Sequence, residues 1–129
     1  MTLIDTSAWI EFFRRKGDPL LKGRVLEILT ADAAAYACPI RFELVLGARP
    51  EEMADLVSGL DLAKRVTLTP AHWDMAASIG AELRLQGIQI PTSDLLIATV
   101  ARQEGIPLLT NDDHFTLLRE KVLPDLVLS

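Results

Sequence analysis

Thr2-Leu3-Ile4-Asp5-Thr6-Ser7-Ala8-Trp9-Ile10 is the stretch on which the fold turns. Thr2 to Ile4 reads as a short apolar strand. It runs straight into an acid, and from Ser7 to Arg14 a first helix follows, with Trp9, Ile10 and Phe13 on its apolar side. A strand that gives way to a helix within a few residues opens a β-α unit, and repetition of that alternation along the chain marks an α/β domain.

The alternation repeats. Gly17-Asp18-Pro19 breaks the first helix, and Leu20 to Ala31 forms a second with Leu21, Val25, Leu26 and Leu29 near helical spacing. Ala34 to Cys38 is a strand. Pro39 suits the first turn of a helix that runs to about Ala48, and Pro50 opens another to about Leu60, striped by Met53, Leu56, Val57 and Leu60. Arg65 to Leu68 is the next strand. Thr69-Pro70 reads as an N-cap with proline at N1, and the helix behind it carries Trp73, Ala76, Ala77, Gly80 and Leu83 on one face until Gly87 ends it. Ile88 to Ile90 is a short extended piece before Pro91. Ser93 to Glu104 is a helix stopped by Gly105, Ile106 to Leu109 a strand, Asp113 to Arg119 a short helix and Leu126 to Leu128 a last short strand. With no repeat, low-complexity tract or linker, the expectation is one α/β domain over residues 1–129 with a mostly parallel central sheet.

Composition bounds the function. Half of the 129 residues are hydrophobic and the mean hydropathy is +0.26, enough to build a core and to leave apolar surface for a partner. The single cysteine, Cys38, excludes an intramolecular disulfide and argues against a cysteine-based zinc site. The first residues lack a basic segment and place an acid where the apolar stretch of a signal peptide would lie. No apolar run reaches the length of a membrane span, so the expected address is the cytoplasm. The net charge of −5 and pI near 4.9 argue against nucleic-acid binding, because phosphate contacts want Lys and Arg. Any nucleic-acid chemistry must therefore come from the arrangement of the acids.

Ligands of an open parallel sheet bind beyond the carboxyl ends of its strands. Asp5 directly follows Leu3-Ile4, and Asp112 follows Pro107-Leu108-Leu109-Thr110. Glu43 falls in the second turn of the helix after the Ala34–Cys38 strand, and Asp94 in the first turn of the helix after Ile88–Ile90. A parallel sheet brings all four to one edge. Glu43 and Asp94 sit in apolar helix starts (Phe42-Glu43-Leu44-Val45-Leu46 and Ser93-Asp94-Leu95-Leu96-Ile97-Ala98) rather than on charged faces. Crowded carboxylates repel and raise each other's pKa, and a divalent cation relieves that repulsion. An all-carboxylate site favours magnesium or manganese over zinc. Such an ion activates water, neutralises charge on a phosphodiester and bridges an acidic protein to an anionic substrate.

Each acid also has a plainer reading. Asp5 can cap the first helix, Asp94 can complement a helix dipole, Glu43 can be an ordinary helix-surface Glu, and Asp112 can close an Asx-turn. Asp113 and His114 can simply open a short helix. Four acids at corresponding topological positions carry the functional reading; no single one does.

Leu3-Ile4-Asp5-Thr6-Ser7-Ala8-Trp9-Ile10 resembles the opening of the PIN-domain ribonucleases, and more specifically of the VapC toxins of type II toxin–antitoxin pairs. Phe42-Glu43-Leu44-Val45-Leu46-Gly47, Pro91-Thr92-Ser93-Asp94-Leu95-Leu96-Ile97-Ala98 and Leu108-Leu109-Thr110-Asn111-Asp112-Asp113-His114-Phe115 resemble that family's later acidic motifs, in order across nearly the whole chain. The resemblance implies a PIN-like three-layer α/β/α sandwich and a Mg2+- or Mn2+-dependent endoribonuclease acting on single-stranded or looped RNA. It implies Asp5, Glu43, Asp94 and Asp112 as catalytic metal ligands, with Thr6 and Thr110 orienting a ligand or water. The doubled acid leaves Asp112 and Asp113 as alternatives, the Thr-x-Asp step after the strand favouring Asp112; His114 is placed as a supporting residue only. A homodimer and a cognate antitoxin that covers apolar helices of the N-terminal half are implied as well.

Arg14, Arg15 and Lys16, with Lys22 and Arg24, form a basic cluster open to RNA contact or to plain solvation. Trp9, Phe12, Phe13 and Trp73 fall on amphipathic stripes and read as core rather than as base-stacking platforms. Haloacid-dehalogenase-type phosphatases want a second Asp where this chain has Ser7, and receiver domains want a lysine where it has Thr110-Asn111-Asp112. No Gly-rich phosphate loop is present. The remaining alternative is a PIN-like module without activity that binds RNA or a protein.

Overall fold

Short apolar strands, each followed by at least one helix, make a sheet that is covered on both faces. The computed structural model describes every residue from Met1 to Ser129. Its strands are β1 (Thr2–Ile4), β2 (Ala34–Ala37), β3 (Lys64–Val66) and β4 (Leu108–Leu109); its helices are α1 (Thr6–Phe13), α2 (Pro19–Thr30), α3 (Cys38–Gly47), α4 (Met53–Asp61), α5 (Pro70–Leu85), α6 (Thr92–Glu104) and α7 (His114–Lys121). The strands run in the order β3-β2-β1-β4, and every pair is parallel. Leu3 stands opposite Ala35 and Leu108, and Tyr36 opposite Arg65. All four β2 residues are buried, as expected of a central parallel strand covered on both sides. The edge strand β3 instead exposes Lys64 and Arg65, charges that discourage edge-to-edge pairing. By the right-hand rule for crossovers, connections moving toward β3 put their helices on one face and the return from β3 to β4 puts α5 and α6 on the other. This is the expected α/β/α sandwich.

One contiguous cluster of 26 buried residues fills it. Trp9 is its largest member, fully buried. Its ring stacks on Phe13 at 5.7 Å and meets Phe12 edge-on at 6.2 Å. Trp9 Nε1 finds no acceptor, a cost of about 1–3 kcal/mol that the ring's apolar burial offsets.

The turn after α1 depends on Gly17. A Cβ there would stand 1.9 Å from the Glu11 carbonyl oxygen, while Glu11 Oε2 accepts the Asp18 N–H at 2.8 Å and Asp18 caps α2. Gly17→Ala should therefore force this backbone apart and cost more than about 1 kcal/mol. Urea unfolding should show a lower midpoint at unchanged slope; an unchanged midpoint would mean that the turn relaxes freely.

The structure corrects several boundaries. Ile88–Ile90 joins no strand: Gly87 takes a left-handed φ of 76°, the Ile88 N–H donates to Leu83 at the end of α5, and Pro91 has no N–H to offer a ladder. The Arg65–Leu68 strand shifts to Lys64–Val66, and the Ile106–Leu109 strand shrinks to Leu108–Leu109. The last strand is reduced to one bridge between Leu108 and Leu128. The Pro50–Leu60 helix begins as a 3-10 turn, Pro50–Glu52, before α4. Trp73, read as core, is 53% exposed. The buried stripe of α5 is His72, Ala76, Ile79 and Leu83. His72 can occupy it because both ring nitrogens are partnered, Nδ1 by the Thr69 N–H at 2.9 Å and Nε2 by Glu104 Oε1 at 3.1 Å.

Candidate active site

β1 is the sheet's switch point, since the chain leaves it toward β2 while β4 pairs on its other side. The crevice beyond such a point is where open α/β sheets bind ligands. Asp5 follows β1 and Thr110 follows β4, and the Asp5 N–H donates to the Leu109 carbonyl at 2.9 Å, tying the two strand ends together. Three donors converge on Asp5 Oδ2: the Ser7 hydroxyl at 2.7 Å, the Thr110 hydroxyl at 3.0 Å and the Ser7 N–H at 3.3 Å. Asp5 is thus the N-cap of α1, standing where β1 and β4 end. The side-chain donors all go to Oδ2. Burial pushes the Asp5 carboxyl above the usual carboxylate range, against the lowering effect of the Ser7 and Thr110 bonds.

Asp94, in the first turn of α6, is 8% exposed. Asp112 is held by its own turn: its N–H donates to Thr110 Oγ1 at 3.0 Å, and its Oδ1 accepts the His114 N–H at 2.9 Å. The His114 ring joins the two acids, Nδ1 lying 2.7 Å from Asp94 Oδ2 and 3.2 Å from Asp112 Oδ1. Ligand-capable atoms of Asp94, Asp112 and His114 all lie within 4.8 Å of one another. Burial first, then repulsion from Asp5 and Asp112, pushes the Asp94 carboxyl up to about 6 despite the His114 bond. The bond to Asp94 in turn raises the His114 pKa, helped by the charges of Asp112, Asp94 and Asp113.

Glu43 is half-buried and bridges two helix starts. Its Oε1 accepts the Thr6 hydroxyl at 2.8 Å and its Oε2 the Ser93 hydroxyl at 3.2 Å. Those donors adjoin Asp5 and Asp94 in sequence, so Glu43 stands beside both. Of the four acids named from sequence, Asp94 and Asp112 lie with His114 in one close group, while Asp5 and Glu43 stand beside it, held by other donors. Asp113 is exposed just ahead of α7, while Asp112 faces His114.

Residues 2–121 match the PIN domain family. The chain belongs to the PIN domain family. It is 32% identical over 126 residues to the VapC ribonuclease Mb1587 of Mycobacterium bovis and to ribonuclease VapC11 of Mycobacterium tuberculosis, over 92% of this chain and 91% of each relative. Its fold is shared with VapBC2 from Rickettsia felis bound to a promoter DNA fragment, with a TM-score of 0.80 at 20% identity over 99% of this chain and 96% of that one. DNA-bound VapBC from Salmonella typhimurium gives 0.80 at 18% identity, over 100% and 98%.

Three further side chains of this PIN domain touch the named acids, one of them expected and two that sequence reasoning missed. His114, left as a supporting residue, touches two of the acids. Ser7 holds Asp5 and also accepts the Asn111 N–H at 2.9 Å. Ser93 holds Glu43. The available signal was adjacency, since Thr6-Ser7 and Ser93 place hydroxyls beside Asp5 and Asp94 at helix starts. Thr6 and Thr110, expected to orient a ligand or water, bond Glu43 and Asp5.

The donor set fits a hard divalent cation. Asp94 Oδ1 and Asp112 Oδ2, like Asp5 Oδ1, accept no side-chain hydrogen bond. Three aspartates thus each keep one oxygen free of side-chain donors while their other oxygen is fixed. Oxygen ligands of this kind, beside a single imidazole, suit magnesium or manganese.

Proposed function

We infer that this PIN domain is a Mg2+- or Mn2+-dependent endoribonuclease that hydrolyses phosphodiester bonds in single-stranded or looped RNA, as the toxin of a type II toxin–antitoxin pair in the cytoplasm. The observation that carries the reading is the close group of Asp94, Asp112 and His114 beside Asp5 at the sheet's switch point. Asp5, Asp94 and Asp112 would hold the ion, with Glu43 closing the set. A divalent ion held there would lower the pKa of a bound water and neutralise charge on the phosphate. The chain's own part is preorganisation. Ser7 and Thr110 fix Asp5, the Thr110–Asp112 turn fixes Asp112, and Thr6 and Ser93 hold Glu43 against α1 and α6. No helix is long and apolar enough to cross a membrane, in keeping with this address. The relatives named VapC ribonuclease support the activity.

A cleft of about 360 Å³ beside the site supports the antitoxin reading. Its floor is Ile10, Phe13, Leu44 and Leu56, and its rim carries Glu43, Glu51, Glu52 and Asp55. Phe42 and Leu46 of α3 stay largely exposed. An apolar floor with an acidic rim fits a basic amphipathic segment, the chemistry expected of an antitoxin tail that blocks an acidic centre. The VapBC complexes sharing this fold support such a partner; a homodimer of the toxin belongs to the same reading.

The test is cleavage of a mixed small-RNA pool by purified, antitoxin-free protein, with manganese or magnesium and with EDTA. Metal-dependent cleavage is expected. No cleavage by folded, metal-bound protein would move the weight to an inactive module that binds RNA or protein.

A further inference from the structure

The acidic centre lies between two grooves of opposite electrostatic character. The α1–α3–α4 cleft carries four carboxylates and one arginine, Arg14, and Arg14 is already paired with Glu11 at 2.9 Å. The other groove, of about 540 Å³, runs between the end of α5, the 86–91 segment and the start of α6, and reaches His114. No Asp or Glu lines it. Its apolar wall is Leu83, Ile88, Ile90 and Leu95, and its charged group is Arg84. Arg84 is exposed. It belongs to no ion pair or side-chain hydrogen bond, unlike Arg14, Arg41 and Arg49, which all face carboxylates.

We propose that this second groove seats the RNA strand flanking the scissile phosphate, with Arg84 contacting a backbone phosphate as a substrate-positioning residue. The proposal rests on the nuclease reading. It resolves where a chain of net charge −5 admits a polyanion. The strand meets no carboxylate along the groove until it reaches His114, whose Nδ1 lies 2.7 Å from Asp94. The volume falls within the range of ordinary ligand sites, about 300–1,000 Å³. The apolar wall can take base faces without reading sequence, while a guanidinium offers a planar fork matched to phosphate. A strand in the opposite cleft would face four like charges. The competing account of Arg84 is helix-end electrostatics, since it lies in the last turn of α5. That account predicts an effect on stability and none on RNA.

The deciding experiment measures cleavage kinetics of Arg84→Ala, Arg84→Lys and the unaltered protein on one single-stranded RNA, across a salt series. Arg84→Ala should raise KM about tenfold, the loss of one charge-assisted contact, with kcat nearly unchanged. The slope of log affinity against log salt should fall by about one. Arg84→Lys should restore the slope but only part of the affinity. If the unaltered protein cleaves and Arg84→Ala matches it in KM and salt slope, the groove proposal is overturned and the nuclease reading stands. If the unaltered protein neither binds nor cleaves the RNA with metal present, the nuclease reading fails and the proposal fails with it.

Discussion

Asp94→Asn should leave a folded protein whose RNA cleavage falls about a thousandfold or more, and whose melting temperature in EDTA rises. The first effect follows from removing one of three carboxylates with an oxygen free of side-chain donors. Metal-centred stabilisation of the transition state supplies several kcal/mol, and each ~1.4 kcal/mol is a factor of ten in rate. The second effect separates a site acid from a packing residue. The Asp94 carboxyl, raised to about 6 by burial and by repulsion from Asp5 and Asp112, is destabilised in its ionised form at neutral pH. A shift of two units corresponds to about 3 kcal/mol at most. Asn retains an oxygen to accept from His114 Nδ1 while dropping the charge. Thermal melts of both proteins at pH 7.5 in EDTA, beside cleavage assays in manganese, check the pair of effects. An active Asp94→Asn protein would take Asp94 out of the site. A variant that melts lower in EDTA would show that its carboxylate holds the fold rather than strains it.

How much of this was legible depended on whether a residue's position follows from topology or from packing. Asp5 and Asp112 were readable because each follows a parallel strand, and parallel strands deliver their carboxyl ends to one edge whatever their neighbours do. Asp94 was found by a partly wrong route. The Ile88–Ile90 segment supposed to deliver it joins no strand; instead the helix pair α5–α6 carries Asp94 there, and Ser93 fastens the start of α6 to Glu43. No periodicity in the chain announces that bond. The role of His114 was similarly hidden, since it depends on how the turn at Asp112 aims the ring. On α5 the reading had Ala76 and Leu83 right but took Trp73 and Gly80 where His72 and Ile79 are buried; the bond that lets His72 be buried comes from Glu104, 32 positions away. The alternation of strands and helices survived all of this, because it needs only local pattern.

Magnesium or manganese at millimolar concentration should raise the melting temperature by about 10 °C at pH 7.5 and by far less at pH 5. At a hundredfold excess over Kd, binding to the native state adds about 2.7 kcal/mol, and a domain of this size gains about 3–5 °C per kcal/mol. The pH dependence follows from the direction of three shifts. Asp94 and Asp5 have folded pKa values raised above their unfolded ones, so the stability that protonation gives is complete below about 4 and is lost as the pH rises, through about 6 for Asp94. His114 is also raised, and its contribution likewise fades as the pH climbs past its folded value. Metal-free protein should therefore weaken from pH 5 to pH 7.5. The ion binds the ionised carboxylates, so it must displace the Asp94 proton at pH 5 but finds the ligands ready at pH 7.5. Melts with metal and with EDTA at both values give the two differences directly. Equal metal shifts at the two pH values would sink the carboxylate account. An undiminished shift in Asp94→Asn would place the ion somewhere other than the switch point, on groups that Asp94 neither touches nor repels.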